Sequence, residues 1–455
     1  MTPISAAKNQ FPRPETFHHL IWILGALTDY EKMESFHRGR VGCDLSGMQR
    51  LVAALGQPQL RVPCVHVTGS KGKGSTATMI SALLRSAGLR CGLYTSPHLV
   101  HLNERIAVDG KPLDETPFLK AADGVLEAMR RDRTLRPTFF EFITGTAMIA
   151  FHRAEIDCAI YEVGLGGTHD ATNVIQPEVT VITSVDLEHV PRLGTTREEI
   201  AREKAGIVKP GVPLVTLLEE GSGPRLVVDE IVAARLSPLL APGRGLDLRR
   251  EDEGFVLDLA GGGTTRFVPP RPIAVQSRNA ALALAACSLL RTGGRLSGAF
   301  QRACDAGVLA TLGLPGRFEV LHHEPTVVID GAHNPASLGF TVDEALKLAD
   351  GGELVILFGL AADKDLAGCL DVLLASGASL IFTPYESPRS LSPDHLQRGA
   401  GGRGSVVGSV REGLEKARGI ADPSGVVLVT GSFYCAGEAK AILQEGSNGA
   451  RGADY

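Results

Sequence analysis

For most of its 455 residues the chain alternates short apolar runs with amphipathic helical stretches. That alternation is satisfied by βαβ units, in which helices cover both faces of a parallel sheet. The runs of the first part are "VPCVHV", "RCGLYT", "DCAIYEV", "VTVITSV" and "VPLVTL". A second series starts near "GRFEVL" (316–321) and continues through "PTVVID", "ELVILF", "SLIFT" and "GVVLVT". Residues 246–268 differ. Their alternation about a Gly-rich turn predicts a small antiparallel hairpin appended to the first sheet. "SRNAALALAACSLLR" then reads as a helix. Gly and Pro in "TLGLPG" (311–316) break a helical pattern and mark a domain boundary. No internal repeat of fixed period is visible.

Composition narrows the class. Hydrophobic residues make up 44% of the chain, enough for the buried cores of two domains. The formal net charge is −5 and basic residues are scattered, which gives no support to a nucleic-acid or membrane surface. The eight cysteines show no C-x-x-C pair, as expected of reduced thiols in a cytoplasmic protein. "LIWILGAL" (20–27) is too short to span a bilayer and is expected to be a buried helix. The tail 446–455 is expected to be flexible.

The stretch "HVTGSKGKGSTATMISALL" begins at His66 and reads strand, glycine loop, helix. Such a loop converges backbone N–H groups on an anion, and the helix N-terminus adds partial positive charge. Gly69, Gly72 and Gly74 allow close approach, while Ser70, Lys71 and Ser75 complete the cradle. Lys73 is placed to neutralise the β- and γ-phosphates, and Ser75 or Thr76 to hold Mg²⁺. The usual G-x-x-x-x-G-K-[ST] spacing is not met. Only two residues separate Gly69 from Gly72, and Gly74 follows Lys73. In the helix, Met79, Ile80, Leu83, Leu84 and Ala87 share one face.

Two further segments carry chemistry. "DCAIYEVGLGGTHDATN" puts Glu162 at the end of an apolar strand, where doubly wound sheets gather ligand groups. A carboxylate there can hold Mg²⁺ on phosphate oxygens, although a solvated loop glutamate has the same pattern. In "DLEHVPRLGTTREEIAREKAGIVKPG", His189 falls just past a strand. Thr195 and Thr196 are N-cap residues for a helix carrying Glu203 and Lys204. On the residues alone, His189 reads equally as a structural histidine and Lys204 as a solvated lysine.

Together these segments resemble the folylpolyglutamate synthase/dihydrofolate synthase family of the muramyl-peptide ligase group. The motifs are "VTGSKGKGS", "YTSPHLVHLNERIAVDG", "TFFEFITGTAMIAF", "EVGLGGTHDATN", "DLEHVPRLGTTREEIAREKAGIVK", "LPGRFEV", "DGAHNP" and "TGSFYCAGE", in that order. The resemblance implies a P-loop ATPase domain over 1–312, mainly parallel with a small antiparallel appendage. It implies a smaller Rossmann-like α/β glutamate-ligase domain over 313–445. It further implies ATP-driven joining of L-glutamate to dihydropteroate or tetrahydrofolate through an acyl phosphate, by a monomer with two Mg²⁺ sites.

Site roles follow by motif. Lys73 contacts the ATP phosphates. Ser96, Glu162 and His189 are Mg²⁺ ligands, and Lys204 is the carbamylated lysine that binds the second metal. Asn279, Arg317 and Asp330 contact nucleotide, and His333 and Ser432 serve glutamate or the acyl phosphate. Lys73, Lys204, Asp330 and His333 are therefore the catalytic set, with two domains contributing to one ATP site. "FFEF", Phe139, Phe140, Glu141 and Phe142, matches the pterin-contacting segment, though Phe139 and Phe140 read equally well as core. His169 and Asp170 are also assigned to substrate. Two positions depart from the family: Thr168 stands where an Arg is common, and Lys71 where many bacterial members carry Asn. The alternatives weighed are another Mur-type ligase and an inactive ATP-binding scaffold. "FFEF", "GSFYCAGE" and the retained charged positions weigh against them.

Overall fold

The computed structural model describes residues 12–29, 44–188, 190–251, 254–260, 263–270, 274–290 and 307–450. The chain divides into two compact units, Met1–His98 with Leu102–Leu312, and Leu99–His101 with Gly313–Tyr455.

The first unit is built on strands β1 (Cys64–Thr68), β2 (Cys91–Tyr94), β3 (Ile106–Val108), β4 (Lys111–Pro112), β5 (Cys158–Glu162), β6 (Val179–Ile182), β7 (Leu214–Thr216) and β8 (Leu239–Leu240). They form one sheet in the order β4-β3-β2-β5-β1-β6-β7-β8. All neighbours are parallel except β2–β3 and β3–β4. Strands β1, β2, β5 and β6 are buried along their whole length, as strands covered on both faces must be. The helix Lys73–Ser86 packs between this sheet and the helix Ala274–Leu289. That explains why its burial runs almost all round, from Ser75 to Leu84, rather than along one stripe. The expected appendage has three strands rather than two: β9 (Leu246–Glu251), β10 (Gly254–Leu259) and β11 (Gly263–Phe267), all antiparallel.

The second unit carries β12 (Glu319–His323), β13 (Thr326–Ile329), β14 (Leu354–Phe358), β15 (Ser379–Phe382), β16 (Ser405–Val406) and β17 (Val426–Thr430). Their order is β12-β13-β17-β14-β15-β16, parallel apart from β12. β13, β17 and β14 lie side by side, so Asp330, Gly431 and Gly359 leave the sheet at one edge.

Two local expectations need adjustment. The helix Phe17–Leu24 buries Leu20, Ile23 and Leu24 but leaves Ile21 and Trp22 more than 40% exposed, so it is amphipathic rather than wholly buried. The final helix runs Phe433–Ala450, five residues into the stretch read as a tail. Six cysteines are free and buried, while Cys43 and Cys304 lie outside the described residues. Among the described residues no helix is long and apolar enough to cross a membrane.

The helix Phe139–Arg153 shows how local sequence sets an element boundary. Thr138 Oγ1 accepts from Glu141 N at 3.2 Å, and Glu141 Oε2 accepts from Thr138 N at 2.8 Å, a reciprocal cap on two otherwise orphaned donors. Thr138→Ala should cost about 1 kcal/mol of stability. Chemical denaturation should show a lower midpoint with an unchanged slope.

Candidate active site

Because β5, β1 and β6 are adjacent and parallel, their carboxyl ends open at one edge. Glu162 closes β5, the glycine loop leaves β1, and Thr183 to Glu188 leave β6. The loop is held from the β6 side. Ser70 N donates to Ser184 O at 2.8 Å, and Thr183 Oγ1 donates to Lys71 O at 2.5 Å. Ser70 Oγ accepts from Asp186 N at 2.9 Å. Gly69 has φ +149°, and a Cβ there would lie 1.8 Å from Thr183 Oγ1. Gly72 has φ +84°, and a Cβ there would lie 2.3 Å from Asn279 Oδ1. Both positions therefore require glycine for space as well as for backbone conformation.

Helix Lys73–Ser86 opens directly from Gly72, with no side chain capping its first turn. Its N-terminal N–H groups are the partners an anion would take. Lys73 Nζ donates to Gly69 O at 2.9 Å, lying back along the loop. Lys71 reaches Asp186 only at 3.9 Å on the exposed surface, a pair that contributes little. Ser75 and Thr76 are buried in the first turn.

Two of the expected metal ligands meet. Ser96 N donates to Glu162 Oε2 at 3.0 Å, and Glu162 is 3% exposed. The neighbouring Ser96–Pro97 peptide is cis. Lys204 is 1% exposed at the end of helix Arg197–Lys204, which Thr196 and Glu199 cap reciprocally. Its Nζ donates to Glu188 Oε1 at 2.7 Å. Burial pushes its ammonium down to about 8, Lys73 adds to this, and Glu188 opposes it. Lys204 is thus a buried cation facing Glu188 near the glycine loop, and not a solvated helix lysine. His189 lies outside the described residues. Among the described residues no three His, Cys, Asp or Glu side chains gather into a cage. The donors present suit a hard cation that takes most of its ligands from phosphate and water, as Mg²⁺ does.

The glycine loop after Glu162 packs against the Lys204 helix. Thr168 N and Oγ1 both donate to Glu203 O, at 3.0 and 2.9 Å. Gly206 makes room, since a Cβ there would meet Thr168 Oγ1 at 2.1 Å. The departure at Thr168 therefore ties the Glu162 loop to the Lys204 helix. Asp170 is buried and accepts from Leu165 N, Thr172 N and Thr172 Oγ1 at 3.0, 2.9 and 2.5 Å. Burial raises its pKa and these hydrogen bonds oppose the rise. His169 is exposed. In the "FFEF" segment Phe142 is fully buried and Phe139 is 8% exposed beneath the Arg105 guanidinium, both in the core. The Glu141 carboxylate serves the helix cap. Phe140 keeps a partly accessible ring, which packs on Gly164 and Tyr94.

In the second unit, Asp330 receives Phe318 N at 2.7 Å, Ala332 N at 2.8 Å and Thr341 Oγ1 at 3.0 Å. It fixes the Arg317 turn and the Gly331–His333 turn about the end of β13. Burial raises its pKa, against these donors and Arg317. Arg317 lies 5.9 Å from the centre of the Phe433 ring. His333 is exposed, with Nδ1 2.8 Å from Gly331 O. Ser432 is 6% exposed, and its hydroxyl accepts from Tyr434 N at 3.2 Å at the start of the last helix. Residue reasoning missed Glu188, whose only signal was an acid beside His189, and the Thr183–Ser184–Asp186 support of the glycine loop.

Residues 67–216 match the Mur ligase middle domain, and residues 316–433 the Mur ligase glutamate ligase domain. Over 421 residues the chain is 32% identical to the dihydrofolate synthase/folylpolyglutamate synthase of Escherichia coli, covering 92% of this chain and 96% of that one. The chain belongs to the folylpolyglutamate synthase/dihydrofolate synthase family. It is also 35% identical over 420 residues to a probable bifunctional folylpolyglutamate synthase/dihydropteroate synthase of Haloferax volcanii, covering 86% of this chain but only 47% of that one. Among solved family structures, E. coli FolC in complex with DHPP and ADP superposes with a TM-score of 0.81 at 30% identity, over 97% of this chain and 100% of that one. The Yersinia pestis bifunctional enzyme, complexed with AMPPNP and a Mn ion, gives 0.80 at 29%, over 96% and 100%.

Gly72→Ala should abolish nucleotide binding, because the methyl group collides with Asn279 and the residue must hold a positive φ. Calorimetric titration with MgADP should show no saturable heat, while the circular dichroism of the folded chain is retained.

Proposed function

We propose that this chain is an ATP-dependent amide-forming ligase that adds L-glutamate to folates, acting both as folylpolyglutamate synthase and as dihydrofolate synthase. The observation that carries this reading is the uncapped helix at Lys73, opening beside the Glu162–Ser96 pair, in a chain of this family. A carboxylate is a poor electrophile. Transfer of the γ-phosphoryl group of ATP to it releases ADP and makes an acyl phosphate. The amine of L-glutamate then attacks the carbonyl carbon, phosphate leaves, and the amide forms with loss of a proton.

In this reading the glycine loop and Lys73 hold the phosphates, and Asn279, Arg317 and Asp330 position the nucleotide. Ser96, Glu162, His189 and a carbamylated Lys204 would hold Mg²⁺ at two sites. Bound there, Mg²⁺ would offset the charge that develops on the transferred group. Phe140, His169 and Asp170 face the pterin, and His333 and Ser432 handle glutamate and the acyl phosphate. Asp330 acts by holding the Arg317 and His333 turns in place. The chain acts as a monomer in the cytoplasm, the compartment that supplies ATP and folates.

The test offers dihydropteroate and tetrahydrofolate separately with MgATP and L-glutamate, and weighs the products. Each should gain one glutamyl unit, with ADP release dependent on glutamate. Nucleotide binding without product from either pterin would remove the ligase reading.

The carbamate at Lys204 rests on the resemblance and on the burial of this lysine beside Lys73. CO₂ reacts with a neutral amine and releases a proton, turning a buried cation into an oxygen anion suited to Mg²⁺. Lys204→Ala should lose at least a hundredfold in turnover and regain part of it with added acetate or formate. Lys204→Arg should be inactive with or without them. Full activity in Lys204→Arg would rule the carbamate out.

A further inference from the structure

We propose that His66 is a positioning residue for the pterin side of the site, acting through Thr172 on Asp170 and so on the glycine loop that follows Glu162. The proposal rests on the reading of Asp170 and Phe140 as substrate-facing groups.

His66 lies in the middle of β1, between Tyr161 of β5 and Thr180 of β6, and is fully buried. A polar ring in a central strand is costly unless its nitrogens are used. Its Nε2 is 2.8 Å from Thr172 Oγ1. That hydroxyl is in turn 2.5 Å from Asp170 Oδ1. Asp170 also accepts from Thr172 N and Leu165 N, so it presents a carboxylate that can only accept. The Thr172 hydroxyl proton is therefore committed to Asp170. Facing His66 the hydroxyl must accept, and the network assigns the ring proton to Nε2. Nδ1 is then a bare acceptor, consistent with its burial without a hydrogen-bond partner. A charged ring would bury an unmatched Nδ1–H, and burial accordingly pushes the pKa down to about 3. The ring works as a neutral, single-direction donor.

The far end of this relay lies where the candidate pterin contacts meet. A Cβ on Gly164 would lie 2.6 Å from Phe140 Cζ and 3.2 Å from Asp170 Oδ2. An aromatic ring and a carboxylate thus flank one glycine, a pairing suited to a flat heterocycle with N–H donors on its edge. Thr68, two residues on and on the same face of β1, donates to Gly166 O at 2.6 Å. One face of β1 therefore holds the glycine loop at two points, while the end of the same strand delivers the phosphate loop.

A role in positioning separates from plain strand stability through the two KM values. In the full chain, His66→Phe fills the space but cannot donate, and His66→Gln keeps an N–H at similar reach. We expect His66→Phe to raise the KM for the pterin substrate about tenfold, to leave the KM for MgATP within about twofold, and to be largely rescued by His66→Gln. Thr172→Val should reproduce the split and Thr172→Ser should not, which keeps the test informative if His66→Phe does not fold. Parallel rises in both KM values, equal behaviour of Phe and Gln, or no change would overturn the proposal. Asp170→Asn separates the two levels of the argument. If it raises the pterin KM while the His66 and Thr172 variants do not, the substrate reading stands and the relay falls. If it leaves the pterin KM unchanged, the substrate reading of Asp170 is wrong and the relay falls with it.

Discussion

In the first unit, everything at the candidate site depends on the side-by-side parallel packing of β5, β1 and β6. Parallel neighbours end at the same edge, so three loops far apart in sequence begin within reach of one another. Glu162, the glycine loop at Gly69 and the Thr183–Glu188 segment are those three. The closeness is set by backbone hydrogen bonding and by burial of both sheet faces, not by attraction between the charged groups. Burying Lys204 and Glu162 at that edge costs desolvation free energy, and the sheet bears that cost. The depressed Lys204 is its visible trace.

Around that edge glycine decides how closely parts approach. Gly69 lets the loop lie on Thr183, Gly72 lets Asn279 touch the start of the helix, and Gly206 admits Thr168. Each contact joins a loop to a rigid neighbour. The result is a cradle built of backbone, whose geometry survives changes in surface side chains such as Lys71. The same economy appears in the second unit, where one carboxylate, Asp330, organises two turns at once.

Several residues that look chemical serve structure first. Glu141 closes a helix, Phe139 and Phe142 fill a core, and Asp170 closes a loop before it can meet a ligand. Conversely His66, in the middle of a fully buried strand, is linked by hydrogen bonds to the site. A side-chain type in a motif states what chemistry is available. Its hydrogen-bond partners state how much of that chemistry is already in use.

The sequence by itself determined the class of fold, most strands of the two larger sheets and the glycine loop that joins β1 to its helix. These are local: apolar runs of strand length, helical periodicity, Gly and Pro punctuation, and a glycine loop joining a strand to a helix are each written within some twenty residues. Ordered motifs then carried the family. Tertiary structure alone decided which groups are neighbours and which are buried. The partner of Lys204 is Glu188, sixteen residues away. Thr168 bonds to Glu203, and His66 to Thr172, 106 positions on. No local pattern encodes such pairs, because they arise from strand order and helix packing. Helix packing also decided the all-round burial of the helix Lys73–Ser86, which depends on the sheet and the helix Ala274–Leu289 laid against it.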